Sequence, residues 1–172
     1  MSAPSTVRIA KPDDYQEVWR LFLTGHRENG IFTLSPNKVN WILNRILCPE
    51  QIPLGDTGVR GTIGVIGPVG SIEGLVLLTL GTYWYSEDLH LEEFIVIVDP
   101  EHRKTGHAQA LVQWMKDQVE ITQLPLITGI ISNIRTEAKC RLYRRMLPKI
   151  GEFFCLTPKG STLTPGLVAV SS

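Results

Sequence analysis

The sequence predicts a mixed α/β (α+β) chain, with a central mixed, mostly antiparallel sheet of six to seven strands flanked by about four helices. Three observations carry this. Two amphipathic helical stripes precede a run of consecutive extended segments separated by turn residues. The pattern then switches from strand to helix at Asp99-Pro100. Beyond it, a short apolar strand is followed by an Arg-rich helix. The implied order, β-α-α-β-β-β-α-β-α-β, mixes hairpin-connected strands with a helical crossover.

Thr6 to Ala10 reads as the first strand. Asp14 and Glu17 have the spacing of a capping box, and Tyr15, Val18, Trp19 and Phe22 fall on one face of the helix that follows. That helix is expected to stop by Gly25 or Gly30. Ser35 and Pro36 announce a second helix, as N-cap and first helical residue. Its buried stripe is Val39, Ile42, Leu43, Ile46 and Leu47, and Cys48-Pro49 ends it. Residues 58 to 70 carry a glycine at every third position and read as strand, turn and strand, turning near Gly67-Pro68. Ser71 to Tyr85 and Leu89 to Val98 read as long strands of an antiparallel meander. Leu111, Val112, Met115 and Val119 share one face of a third helix. Leu126 to Ile131 is apolar enough for a buried central strand. Thr136 to Leu147 reads as a fourth helix, Phe153 to Leu156 as a strand, and 157–172 as a C-terminal strand or tail.

Composition narrows the function classes. The chain has 172 residues, 43% apolar and 20% charged, with 17 basic and 17 acidic side chains. At about 150 residues per domain, this length argues for one domain over 1–172. Zero net charge lacks the basic excess of a polyanion binder. Cys48, Cys140 and Cys155 cannot all pair and form no CxxC, so neither a disulfide scaffold nor a zinc ribbon is expected. With no apolar core in the N-terminal stretch and no run of 18 apolar residues, a cytoplasmic, membrane-free protein is expected. The charge is unevenly spread. Residues 87–101 carry six acids and no Lys or Arg, whereas 102–172 carry ten bases against four acids. Either these are solvated faces, or a cleft has an anionic and a cationic half.

The stretch from Phe94 to Met115 carries the chemistry. A strand runs into Arg103-Lys104-Thr105-Gly106-His107-Ala108 and straight into a helix. Gly106 lets a ligand approach the backbone. The first N–H groups of the helix lack intrahelical acceptors and sit at the positive end of its dipole, an anion site suited to pyrophosphate. Arg103 and Lys104 add charge. No GxxxxGK[ST] is present, which argues against an NTPase.

Arg103-x-x-Gly106-x-Ala108, preceded by Val98-Asp99-Pro100, resembles the acetyl-CoA signature of the GCN5-related N-acetyltransferase (GNAT) family, Q/R-x-x-G-x-G/A after a strand ending V-x-P. The order of elements resembles that family's core over nearly the whole chain, and members encoded in phage genomes are among the likenesses. The segment Glu137 to Arg145, with Tyr143 after an Ala and a Leu, is similar to the family's fourth-helix motif. The resemblance implies an N-acetyltransferase that moves an acetyl group from acetyl-CoA, its cosubstrate, to a primary amine by direct attack.

It further implies that the strand before the motif splays from its neighbour and offers the backbone of Ile97 and Val98 to pantetheine. The pyrophosphate takes the N–H groups of Lys104, Thr105, Gly106, His107 and Ala108, and Arg103 supports it. Asn133 is the candidate for the family's asparagine contact, although it lies ten residues before Tyr143 instead of about seven. Tyr143 would protonate the departing thiolate. The amine must first lose a proton, a deficit of roughly 4 kcal/mol at pH 7 for an alkylammonium, and a carboxylate can relieve it. Glu92 and Glu93 are the candidates. Alternation along a strand turns one of them to the cleft. Glu92, eleven residues before Arg103, is favoured over Glu93, and a solvated edge is the plain alternative for both.

Other constellations are weaker. His90, His102 and His107 lie near acids, but no HExxH spacing exists and no metal is assigned. The basic region 135–149 is read three ways: a contact to the CoA 3′-phosphate, a nucleic-acid surface, or a solvated face. A nucleic-acid-binding module and a catalytically silent interaction protein of the same fold are the rival functions. Self-association into a homodimer is compatible with the sequence, and the acidic 87–101 stretch favours a cationic amine.

Overall fold

The computed structural model describes residues 6–132 and 134–151. Asn133, the expected strand at Phe153 to Leu156, the 157–172 segment and Cys155 lie outside the described residues.

The order of elements is β1 (Val7–Ile9), α1 (Tyr15–Asn29), α2 (Pro36–Leu47), β2 (Gly61–Ile66), β3 (Gly74–Thr82), β4 (Leu89–Val98), α3 (His107–Thr122), β5 (Leu126–Ile127) and α4 (Thr136–Met146). The strands form one sheet in the order β1-β2-β3-β4-β5. All neighbours are antiparallel except β4 and β5, which run parallel. The described sheet therefore has five strands where six to seven were expected.

Alternation along the strands splits the core into two layers. Leu75 and Leu77 face α1 and α2, where they meet Val18, Leu21, Leu43 and Ile46. Val76 and Leu78 face the other way, onto Leu111, Val112 and Met115 of α3, with Leu142 and Tyr143 of α4 packed behind. Covering both faces of β3 buries it, as its continuous apolar run requires.

Two local readings are corrected. Asp14 does not cap α1. Its buried carboxylate accepts from Arg8 at 2.7 and 2.9 Å and from the Lys11 N–H at 2.8 Å, locking a 3-10 turn ahead of the helix. The Arg8 hydrogen bonds hold its pKa below the usual carboxylate range against the opposing effect of burial. Tyr83, Trp84 and Tyr85 are not strand residues. They cluster edge-to-face, largely exposed, in the β3–β4 connection.

α1 stops at Asn29 with Gly30 as its C-cap, as one of the two expected ends, and Gly25 lies within the helix where it crosses β4. A Cβ on Gly25 would lie 1.5 Å from Cδ1 of Ile97 and 3.2 Å from Cδ1 of Ile95. Gly25→Val is therefore expected to lower unfolding stability by about 1–3 kcal/mol through overpacking, read by urea denaturation. A value within 0.5 kcal/mol of wild type, on the order of an unremarkable surface change, would show that α1 can ride away from β4 freely.

Candidate active site

The site is built where β4 and β5 part. β5 pairs with β4 only through Leu91↔Leu126 and Glu92↔Ile127. The expected strand at 126–131 is thus two residues long, because the chain from Thr128 onward leaves the β4 ladder and pairs with no described strand. A cleft of about 630 Å³ opens in the gap. One wall is β4 from Glu93 to Val98, and the other comprises Gly129 to Ser132 with α4 residues Ala138, Lys139, Leu142 and Tyr143. Beyond Glu92 that edge of β4 pairs with no described strand, so the backbone of Ile97 and Val98 borders the cleft as expected.

The far end of the cleft is the 103–108 turn. Gly106 is the N-cap of α3 at φ +90°, in the left-handed region, and a Cβ there would meet nothing within 4 Å. Among the described residues no side chain caps the helix, and the first N–H groups of a helix have no intrahelical acceptor and suit an anion. Arg103, Lys104, Gly106, His107 and Ala108 line the cleft. Lys104 also adopts a positive φ, 74°. Thr105 is turned back, its hydroxyl donating to the His102 carbonyl. The His107 ring is buried, with Nε2 2.6 Å from Glu73 Oε2.

Arg103 is engaged. Its Nη2 donates to both carboxylate oxygens of Glu28 on α1, at 2.6 and 2.7 Å. A second cross-cleft link joins Lys139 of α4 to Asn29 at 3.1 Å and Ser132 at 2.6 Å. Burial lowers the Lys139 pKa, and the Glu28 charge opposes that shift.

Glu93, and not Glu92, is the carboxylate that meets Tyr143. The cause is a β-bulge. Leu78 is opposite Glu93 and Leu77 is opposite Ile95, so Phe94 is an extra residue in β4. In an unbroken ladder with Phe94 paired, Glu92 would share the face of Val96 and Val98. With the bulge, that face passes to Glu93 and Leu91. Glu92 is turned to the opposite face, its side chain 46% exposed and its Oε1 3.5 Å from His90 Nε2. It lines neither the cleft nor the neighbouring cavity described below. The preference for Glu92 is therefore reversed in geometry.

Glu93 Oε2 accepts from the Tyr143 hydroxyl at 2.8 Å and from the Thr128 hydroxyl in a shorter contact. Burial pushes the Glu93 carboxyl above the ordinary carboxylate range, tempered by these two hydrogen bonds and the Lys139 charge. Burial and the adjacent Glu93 carboxylate push the Tyr143 hydroxyl well above the usual phenol value. The pair can hold and exchange a proton in a partly enclosed cleft. Sequence reasoning missed Glu28, Asn29, Thr128 and Ser132. Thr128 had one signal, as a hydroxyl interrupting an apolar run.

No family model and no curated protein sequence matches the chain. Solved structures do. A possible acetyltransferase from Clostridium difficile 630 superposes with a TM-score of 0.64 at 14% identity, over 91% of this chain and 99% of its own. A GCN5-related N-acetyltransferase from Ralstonia eutropha JMP134 gives 0.62 at 17% identity, over 90% and 99%. The ribosomal-protein-alanine N-acetyltransferase from Brucella melitensis biovar Abortus 2308 gives 0.61 at 14% identity, over 89% and 97%. Together with the parted strands and the uncapped helix after them, these superpositions establish that the chain has the fold of the GCN5-related N-acetyltransferases.

Proposed function

We propose that the protein transfers an acetyl group from acetyl-CoA to a primary amine, with Glu93 as base and Tyr143 as acid. The observation that carries this reading is the direct Tyr143–Glu93 hydrogen bond at the point where β4 leaves β5. The residues present fit the cosubstrate. An open strand edge faces the cleft, an uncapped helix N-terminus closes one end, and Arg135, Lys139 and Arg145 line it with positive charge. That placement supports reading part of the basic 135–149 region as a contact to a phosphorylated cosubstrate in preference to a nucleic acid.

Acetyl-CoA supplies the activated acetyl group. Glu93 accepts a proton from the ammonium, which frees the nitrogen lone pair to attack the thioester carbonyl carbon. The C–N bond forms and the C–S bond breaks with its electron pair leaving on sulfur. Tyr143 donates its hydroxyl proton to that sulfur and recovers one from Glu93 across their hydrogen bond. Of the two protons the nitrogen sheds, one ends on sulfur and the other passes to water.

Acetyl-CoA at a hundred times its Kd is expected to stabilise the fold by about 2.7 kcal/mol, visible as a raised Tm. Gly106→Glu should erase that shift by putting a carboxylate in front of the helix N-terminus while leaving a cooperative unliganded melt. A cooperative melt with the full CoA-induced shift would remove the cosubstrate from this turn.

A further inference from the structure

A second cavity, of about 480 Å³, adjoins the cleft on the α1/α2 face of the sheet. The two meet along Phe22, His26 and Gly30 of α1 and its C-terminal end and along Glu93, Phe94 and Ile95 of β4, which line both. The bulge at Phe94 therefore lies on the junction between a charged cleft and a chamber of different character. The chamber floor is core, including Leu43, Ile63 and Leu77. Its walls are Phe22, Ile31, Phe32, Leu34, Ile42 and Phe94. Two of these stand open to solvent, Phe32 at 67% and Phe94 at 50% exposure. Large apolar side chains held at the mouth of an apolar chamber are placed to be covered by an apolar guest. His26 fixes this wall, its Nε2 lying 2.9 Å from the Phe32 carbonyl oxygen.

The chamber's charges are as informative. Of the six acids in the 87–101 stretch, Glu93 alone lines it, and among the described residues the one Lys or Arg lining it is Lys38. A guest with a second ammonium would bring that charge to an apolar wall and a lysine, with no second carboxylate among the described lining residues to pair it. The volume lies within the roughly 300–1,000 Å³ of small-ligand sites.

We infer that the acceptor is a monoamine on an apolar body, an arylalkyl or branched-alkyl primary amine. Its body fills this chamber and its nitrogen reaches around the open edge of β4 to the Glu93 carboxylate on the Tyr143 face. This rests on the transfer reading above and replaces the cationic acceptor suggested by the acidic stretch. Of the other five acids, Glu87 and Asp88 lie in the β3–β4 connection and Asp99 and Glu101 in the turn after β4, while Glu92, on the chamber's own face of β4, does not line it.

The experiment compares 2-phenylethylamine and isoamylamine with putrescine, spermidine and kanamycin in a thiol-release assay with acetyl-CoA. The monoamines are expected to show kcat/KM at least tenfold higher than putrescine. Phe32→Ser, at an exposed position, should raise KM for 2-phenylethylamine about fivefold or more, with kcat and the acetyl-CoA melting shift little changed. Preference for the polycations, or an unaltered KM in Phe32→Ser, overturns the inference. So does faster turnover of octanoyl-CoA than acetyl-CoA that is lost in Phe32→Ser, since the chamber would then hold the acyl chain. Ligand-observed NMR of 2-phenylethylamine binding separates the two readings. Binding that Phe32→Ser abolishes, without any acetyl-CoA shift, keeps the chamber and removes the transfer reaction. An acetyl-CoA shift without amine binding, in the presence or absence of CoA, removes the chamber and keeps the transfer reaction.

Discussion

Glu93→Gln is expected to lower acetyl transfer to an alkylamine by about 10²–10⁴-fold at pH 7, the range for a positioned base. The substitution keeps shape and still accepts from Tyr143, so it removes proton affinity and little else. Activity should recover as pH approaches the amine's own pKa, near 10, where solvent has already taken the proton. Glu92→Gln is the control and should stay within about threefold of wild type, because its side chain is on the far face. A larger loss in Glu92→Gln, or a Glu93→Gln defect equal at every pH, would move the base elsewhere. Stability supplies an independent readout. The folded Glu93 carboxyl has a raised pKa, so the native state holds this proton more tightly than the unfolded chain. The wild type therefore loses stability as pH rises from the ordinary carboxylate pKa through the raised one. Glu93→Gln lacks that loss. Its Tm relative to wild type should climb between about pH 4 and neutrality, and a flat difference would contradict the burial of the charge.

The second large effect is at Tyr143. Tyr143→Phe should cost on the order of 10²-fold or more in turnover while acetyl-CoA binding persists. It should also move the acid limb of kcat/KM upward, because the Tyr143 hydrogen bond is one of the influences holding the Glu93 pKa down. A tyrosine that merely packs would leave that limb in place. Since the two groups pass one proton between them, the double variant Glu93→Gln/Tyr143→Phe should lose little more than the worse single variant. Multiplying losses would show that the two act separately, through different waters or different steps.

The parts of this site that were legible in the sequence are those written locally. Gly106 at a strand-to-helix turn, the helix start at Ser35-Pro36 and the stripe of α3 depend on neighbours a few residues away, and the structure has them as read. Tyr143 was legible through a motif within one helix. What was not legible depends on pairing between distant segments. Glu28 and Arg103 are 75 residues apart, and Asn29 and Lys139 are 110 apart. The choice between Glu92 and Glu93 failed for a subtler reason. Period-two alternation assumes an unbroken ladder, and nothing local to Glu92-Glu93-Phe94 declares the extra residue. The 126–131 run misled in the same way. Its apolarity is real, but Gly129, Ile130 and Ile131 line the cleft instead of pairing with a described strand.

The unpaired Phe94 makes the identity of the carboxylate beside Tyr143 a matter of parity. Side-chain facing in a strand is a two-valued quantity, and the bulge flips it for everything upstream. Pairing Phe94 into an unbroken ladder would hand the Tyr143 side of the sheet to Glu92 and expel Leu91, now 5% exposed, from the core. Deleting Phe94 would instead leave Glu93 opposite Leu78 and keep the facing of both residues. Two consecutive glutamates therefore encode a choice that only the register of the strand resolves. The penalty for the wrong register falls on Leu91 and the fold before it falls on the cleft. In this segment a one-residue slip in pairing rearranges the cleft more thoroughly than a shortened strand would, while leaving both acidic side chains in the chain.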